Sequence, residues 1–256
     1  MTERSGLADR RREKKVSDWV IGIAAFYLLS SFLVPLLLPT NTVPELSGRA
    51  NALDYASTDG FGSWGNNQQD GGSMGHDQAE HGGMFDWSKL DPFSALIYGL
   101  GDLNCHQKHY RTWELNGNQM PVCTRDIGIL AGVIVGGAIF RRRGVNRWTF
   151  RDTLISVLPD EKVESLYYND RRLYLAFGII GALLLPVALD GGIQAITSYE
   201  SNNLKRILTG LPMGIGVGLL FCSIFGAHPK SFEFDAGKVK LPANARLVPQ
   251  ARGEEE

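Results

Sequence analysis

Two of the three cysteines, Cys105 and Cys123, bracket a polar segment that also holds His106, Gln107 and Arg111 and runs on into Arg125 and Asp126. Thiol, imidazole, guanidinium and carboxylate groups this close in sequence are the ones that ligate metals, cycle electrons or hold anions. Three chemistries fit the spacing. A disulfide would close a loop of about 18 residues and stabilise the fold by roughly 3 kcal/mol through the entropy it removes from the unfolded chain. A metal ion would take the thiolates together with His106 or His109, or the thiols would cycle as a redox pair. The C-x-x-C repeat of a zinc site is absent, and adjacent Cys105 and His106 do not readily reach one ion together. In the third reading the thiols stay unpaired.

A second group begins at Asp190-Gly191-Gly192, directly after an apolar block. Gln194 lies one helical turn on, and Arg206 opens the next apolar block. Charged groups at helix ends often do no more than reach lipid headgroups. Asp190 has a short side chain that reaches poorly, so a carboxylate–guanidinium pair with Arg206 is the sharper expectation. Met74, His76, Glu80, His81 and Met84 form a set of soft and borderline ligands of the kind that holds copper, inside a low-complexity stretch that produces such sets by chance. Cys222, within an apolar block, reads as a packing residue. The motifs G-x-x-x-x-G-K-[ST] and H-E-x-x-H are absent, and G-x-S-x-G occurs only as Gly71-Gly72-Ser73-Met74-Gly75 inside the low-complexity stretch, without the strand and helix patterns a nucleophile elbow needs, so nothing points to nucleotide, zinc-protease or serine-hydrolase chemistry.

These residues must be positioned by apolar helices. The chain of 256 residues has net charge -1 and mean hydropathy -0.09, averages that suit a soluble protein, but its apolar residues are pooled in charge-free blocks. Trp19 to Leu38 is long enough to cross roughly 30 Å of hydrocarbon and reads as a retained signal anchor rather than a cleaved signal. Ile127 to Phe140 is short, but Arg141-Arg142-Arg143 can snorkel and the helix can extend back over Thr124 and Arg125. Leu173 to Leu189 and Ile207 to Ala227 complete four spans. None of the four carries a mid-depth charge, which argues against an ion-coupled pump. Segments 1–18, 141–172 and 228–256 hold 19 of the 26 basic residues, which puts both termini in the cytoplasm and the chemically interesting residues outside.

The expected fold class is therefore all-α: an integral membrane bundle of four transmembrane helices with a re-entrant or interfacial helix, starting at Pro92, in the first outer segment. Its parts are a basic cytoplasmic N-terminus (1–18), the first span (19–38), a flexible outer loop (39–91), a membrane core (92–227) and a cytoplasmic tail (228–256). Residues 144–172 have the spacing of a helix lying on the inner membrane surface. Glycine recurs every fourth residue at Gly128, Gly132 and Gly136, and again at Gly210, Gly214 and Gly218, flat stripes that let helices pack closely on each other or on a second copy of the chain. The expected partners are the lipid bilayer and, through these stripes, a homo-oligomer, with no nucleic acid.

Cys105-His106-Gln107, Arg111, Gly117, then Met120-Pro121-Val122-Cys123-x-Arg125-x-x-Gly128 resemble the predicted membrane proteins grouped as domain of unknown function 2085. Pro186, Asp190-Gly191, Gln194, Asn203, Arg206 and Thr209-Gly210 resemble that family's second signature. Asp126 stands where many members carry another cysteine. The resemblance implies a membrane fold and a shared outer site, and no known reaction. The expected function is binding of a metal ion or small polar ligand at that site, with redox or hydrolytic chemistry. The alternatives are a non-catalytic scaffold braced by a disulfide and an ion pair, and, more weakly, a small-solute transporter, for which inverted repeats are lacking.

Overall fold

A computed structural model describes residues 4–43, 90–104 and 109–247. It is mostly helical. Helix α1 (Arg11–Leu37) leads to α2 (Pro92–Asn104), a short 3-10 turn (His109–Arg111), and strands β1 (Glu114–Leu115) and β2 (Asn118–Gln119). Then come α3 (Thr124–Arg143), α4 (Phe150–Ile155), α5 (Asp160–Tyr168), α6 (Arg172–Ile196), α7 (Asn203–Gly226) and three 3-10 turns in 229–244. The strands form a two-stranded antiparallel hairpin, a departure from an all-α expectation. Asn116 and Gly117 turn it with φ of 52° and 68°, which only such residues adopt at little cost.

Among the described residues three helices, α1, α6 and α7, are long and apolar enough to cross a membrane. Their exposed faces say what solvent they need. Trp19, Ile23, Phe26, Leu29, Leu33 and Leu36 form an uncovered stripe along α1, and Phe177, Leu185 and Leu189 stand open on α6. Only 11% of the most apolar stretch of α6 is buried by protein, an arrangement that hydrocarbon tolerates and water does not. Helix α3 falls outside this group because its apolar stretch is bounded by Thr124-Arg125-Asp126 and Arg141-Arg142-Arg143. The expected flexible loop lies almost entirely outside the described residues, as do Met74, His76, Glu80, His81 and Met84.

The chain divides into two compact units. One comprises residues 1–24, 131–195 and 211–256. Its core gathers Phe140 of α3, Leu154 and Ile155 of α4, Val163 and Tyr167 of α5, Leu219 and Cys222 of α7, and Leu241. The single surface helix expected across 144–172 is two short helices, because Thr149 caps a new start by accepting from Asp152 N and Leu154 and Ile155 turn into this core. Charges tie the segments together. Arg10 Nε donates to Gly144 O at 2.8 Å and its Nη atoms reach Arg142 O and Arg141 O at 3.0 and 2.9 Å, closing the C-terminus of α3. Asp160 receives Arg4 Nη2 at 2.6 Å and the fully buried Arg147 Nη2 at 2.7 Å. Burial pushes the Asp160 carboxyl up, but these two guanidiniums outweigh it and hold it below the ordinary value of 3.8.

The glycine stripes face each other within this unit. A Cβ on Gly132 would lie 2.2 Å from Leu211 O and 2.8 Å from Gly214 Cα. One on Gly136 would lie 2.4 Å from Ile215 O, and one on Gly218 2.5 Å from Val133 O. Backbones this close leave no room for any side chain.

The other unit comprises residues 25–130 and 196–210. The α3–α7 approach recurs here, with Gly128 against Ile207 O and Gly210 against Arg125 O. Asp91 caps α2 by accepting from Phe93 N and Ser94 N at 3.0 and 3.1 Å. Ile97 and Tyr98 of α2 then pack with Val34 of α1 and Val43. Buried Asn118 of β2 donates to Pro35 O and Pro39 O at 3.0 and 3.1 Å and accepts from Val43 N at 2.9 Å, so the hairpin is stitched to the end of α1.

Candidate functional site

The segment that carries Cys123 and Arg125 enters α3 from the hairpin. Met120, Val122 and Ile127 pack together with Tyr27, Leu28 and Phe32 of α1, which fixes the first turn of α3 from its apolar side. Cys123 directly precedes α3, and its Sγ lies 3.2 Å from Asp126 Oδ2 within that first turn. A side chain before the helix meeting an acid three residues on has the layout of a capping box, and the acid also suits the positive end of the helix dipole. A thiol and a carboxylate at this distance are equally a ready pair of metal ligands. A tetrahedral ion about 2.3 Å from sulfur and about 2.0–2.2 Å from oxygen spans about 3.5 Å between them.

Beside this pair an ion triad closes the polar side of the unit. Arg111 is bidentate to Glu200, with Nε to Oε1 at 2.8 Å and Nη2 to Oε2 at 3.0 Å. Glu200 also receives Nη2 of Arg206, whose side chain is 2% exposed and whose Nε donates to Ser201 O at 3.0 Å. One carboxylate thus bridges two guanidiniums, and Arg125 and Cys123 lie within electrostatic reach of Arg206. The proton of Thr124 Oγ1 is shared between Arg111 O at 3.1 Å and Asn203 Oδ1 at 3.0 Å, which joins the starts of α3 and α7 through the 3-10 turn.

The residues expected at this site separate as follows. Arg111, Cys123, Arg125, Asp126 and Arg206 belong to one unit. Asp190 and Gln194 belong to the other, where Gln194 Nε2 donates to Asp190 Oδ2 at 2.8 Å across one helical turn and Asp190 is buried. Cys105, His106 and Gln107 lie outside the described residues. Among the described residues no three His, Cys, Asp or Glu side chains are grouped as a metal would need. Glu200 and Thr124 were not among the expected site residues. The signal for Glu200 was present, since it is the one carboxylate between Asp190 and Arg206.

An uncharacterized protein of Methanocaldococcus jannaschii is 33% identical over 132 residues, covering 52% of this chain and 70% of that protein. The model of the family described as predicted membrane protein (DUF2085) matches residues 105–220. This chain belongs to the DUF2085 family. An uncharacterized protein of Methanothermobacter thermautotrophicus is 34% identical over 118 residues, 45% of this chain and 82% of that protein. No solved structure matches. The DUF2085 region takes in Cys123, Asp126, the Arg111–Glu200–Arg206 triad and the Asp190–Gln194 pair, and leaves out α1 and α2.

Proposed function

We propose that this DUF2085 member crosses the bilayer four times with both termini in the cytoplasm, and that its outer face binds a metal ion through Cys123 and Asp126. The 19-to-7 division of basic residues supports the orientation. Helix α3 has 20 residues, about 30 Å at 1.5 Å per residue, and its glycines meet α7. Both facts support α3 as the fourth span. The observation that carries the metal reading is the 3.2 Å Cys123–Asp126 contact, with one of the adjacent pair Cys105 and His106 supplying a further ligand. An ion so held would polarise a small polar ligand for hydrolytic or redox chemistry.

A second reading, the scaffold, is favoured by the triad: both Glu200 oxygens are engaged by arginines, as in a clamp that holds the start of α7 to the preceding turns. Metal analysis of the purified full-length chain separates the two. The metal reading expects about one ion per chain, lost in Cys123→Ser and in Asp126→Ala. Substoichiometric metal that does not respond to either substitution leaves the scaffold.

A further inference from the structure

The four-span reading leaves a second polar feature at the other end of α3. A cavity of about 220 Å³ lies where that helix ends, lined by Arg4, Arg10, Arg142, Arg143, Asp160 and Glu161. The charges around it are not balanced in place. Asp160 is already shared by Arg4 and the buried Arg147. Arg10 spends its guanidinium on the terminal carbonyls of α3, which would otherwise turn their negative ends into the cavity. Arg142 and Arg143 are exposed, and among the described residues neither guanidinium has a hydrogen bond or ion pair. Glu161 is the one lining carboxylate that forms no ion pair among the described residues, although its charge reaches Arg4.

We propose that this cavity binds a phosphate group, with Arg142 and Arg143 as its forks and Arg4 and Arg10 as the fixed positive wall. Guanidinium pairs match phosphate oxygens bidentately, and the volume admits a phosphate with its ester substituent. The three arginines Arg141–Arg143 directly follow the apolar stretch of α3, so on the four-span reading the cavity opens at headgroup depth. The phosphate then comes from an anionic lipid headgroup or from a soluble phosphate ester, and the chemistry of the cavity is the same for both.

The test uses full-length protein purified in detergent, so that it does not depend on the topology. Binding of short-chain phosphatidylglycerol, of zwitterionic phosphatidylcholine and of inorganic phosphate is measured for the native protein, for Arg142→Gln/Arg143→Gln and for Glu161→Gln. The native protein is expected to bind phosphatidylglycerol at least about tenfold more tightly than phosphatidylcholine. The double variant should lose that preference, and Glu161→Gln should strengthen it by removing the opposing charge. Saturable, arginine-dependent binding of inorganic phosphate, displacing phosphatidylglycerol, assigns the soluble source and upholds the site. Its failure to compete assigns the lipid. Neither exposed arginine supports the fold, so a double variant that elutes as native and binds all three ligands unchanged overturns the proposal. Cysteine labelling that places the Arg141–Arg143 end outside would overturn the four-span orientation and leave the phosphate site standing.

Discussion

Glu200 sits between a half-buried arginine and a fully buried one, and buried guanidinium charge is costly to leave without a counter-charge. Glu200→Gln keeps the shape and removes the charge. It should cost about 1–3 kcal/mol, the range for depriving a buried polar group of its partner, read as a fall in the thermal midpoint of detergent-purified protein. An unchanged midpoint would mean that Arg206 is held by other groups. Asp160 gives a pH-dependent counterpart. Its folded carboxyl is depressed by Arg4 and Arg147, so its stabilisation is fully present above the ordinary value of 3.8 and is lost as pH falls through the lower folded value. Native protein should therefore lose midpoint temperature more steeply below about pH 4 than Asp160→Asn does, while at neutral pH Asp160→Asn should already be less stable than native protein, because Arg147 loses its counter-charge. Parallel curves for the two proteins would show that the lock contributes nothing. At this scale residue types were legible in the sequence, and partners were not. Arg206 was visible at its helix start, but its bond to Glu200 depends on how residues 197–202 turn back, which no periodicity encodes.

Helix contacts divide the glycines into those that matter and those that do not. Gly132 and Gly136 abut α7 backbone, whereas Gly178 and Gly181 of α6 have nothing within 4 Å of an added Cβ. Gly132→Val should drive α3 from α7 at about 2–3 kcal/mol or more, seen as lost folded yield in size-exclusion chromatography. Gly178→Ala should be neutral or stabilising by up to about 1 kcal/mol, since alanine favours the helix and meets no neighbour. Equal behaviour of the two variants would refute the close packing. The four-residue glycine period is legible in the amino-acid sequence itself. It marks a helix face that welcomes a backbone, and whether that backbone is α7 or another copy is a matter of tertiary arrangement. The hairpin carried its own signal, Asn116-Gly117 between Leu115 and Asn118, but strands of two residues leave no alternation to detect.

Across the whole molecule, the exposed apolar faces of α1 and α6 and the length and apolarity of α7 call for a bilayer, and the basic residues predict which way the chain threads it. Single cysteines at Gly72→Cys and Lys238→Cys, labelled in intact cells with a membrane-impermeant maleimide over the native background, should react at Gly72 only. Labelling of both positions from outside would sink the orientation.

Length and composition are one-dimensional properties, so the sequence alone determined that this is a helical membrane protein of the DUF2085 family. The same holds for where α3 runs, because Thr124 and Arg143 bound a stretch whose apolar centre and basic end are local features. What the tertiary structure decided is every pairing over long separations. Arg4 meets Asp160, Arg111 meets Glu200, and Asn118 closes on the end of α1. The 144–171 stretch and residues 228–247 also share a packed core rather than trailing as tails, and Ser5 O accepts from Lys240 N at 3.0 Å to tie the N-terminal segment to them. Such contacts join residues by shape and by the need to satisfy buried charge, and a charged residue in a sequence announces that need without naming the group that will meet it.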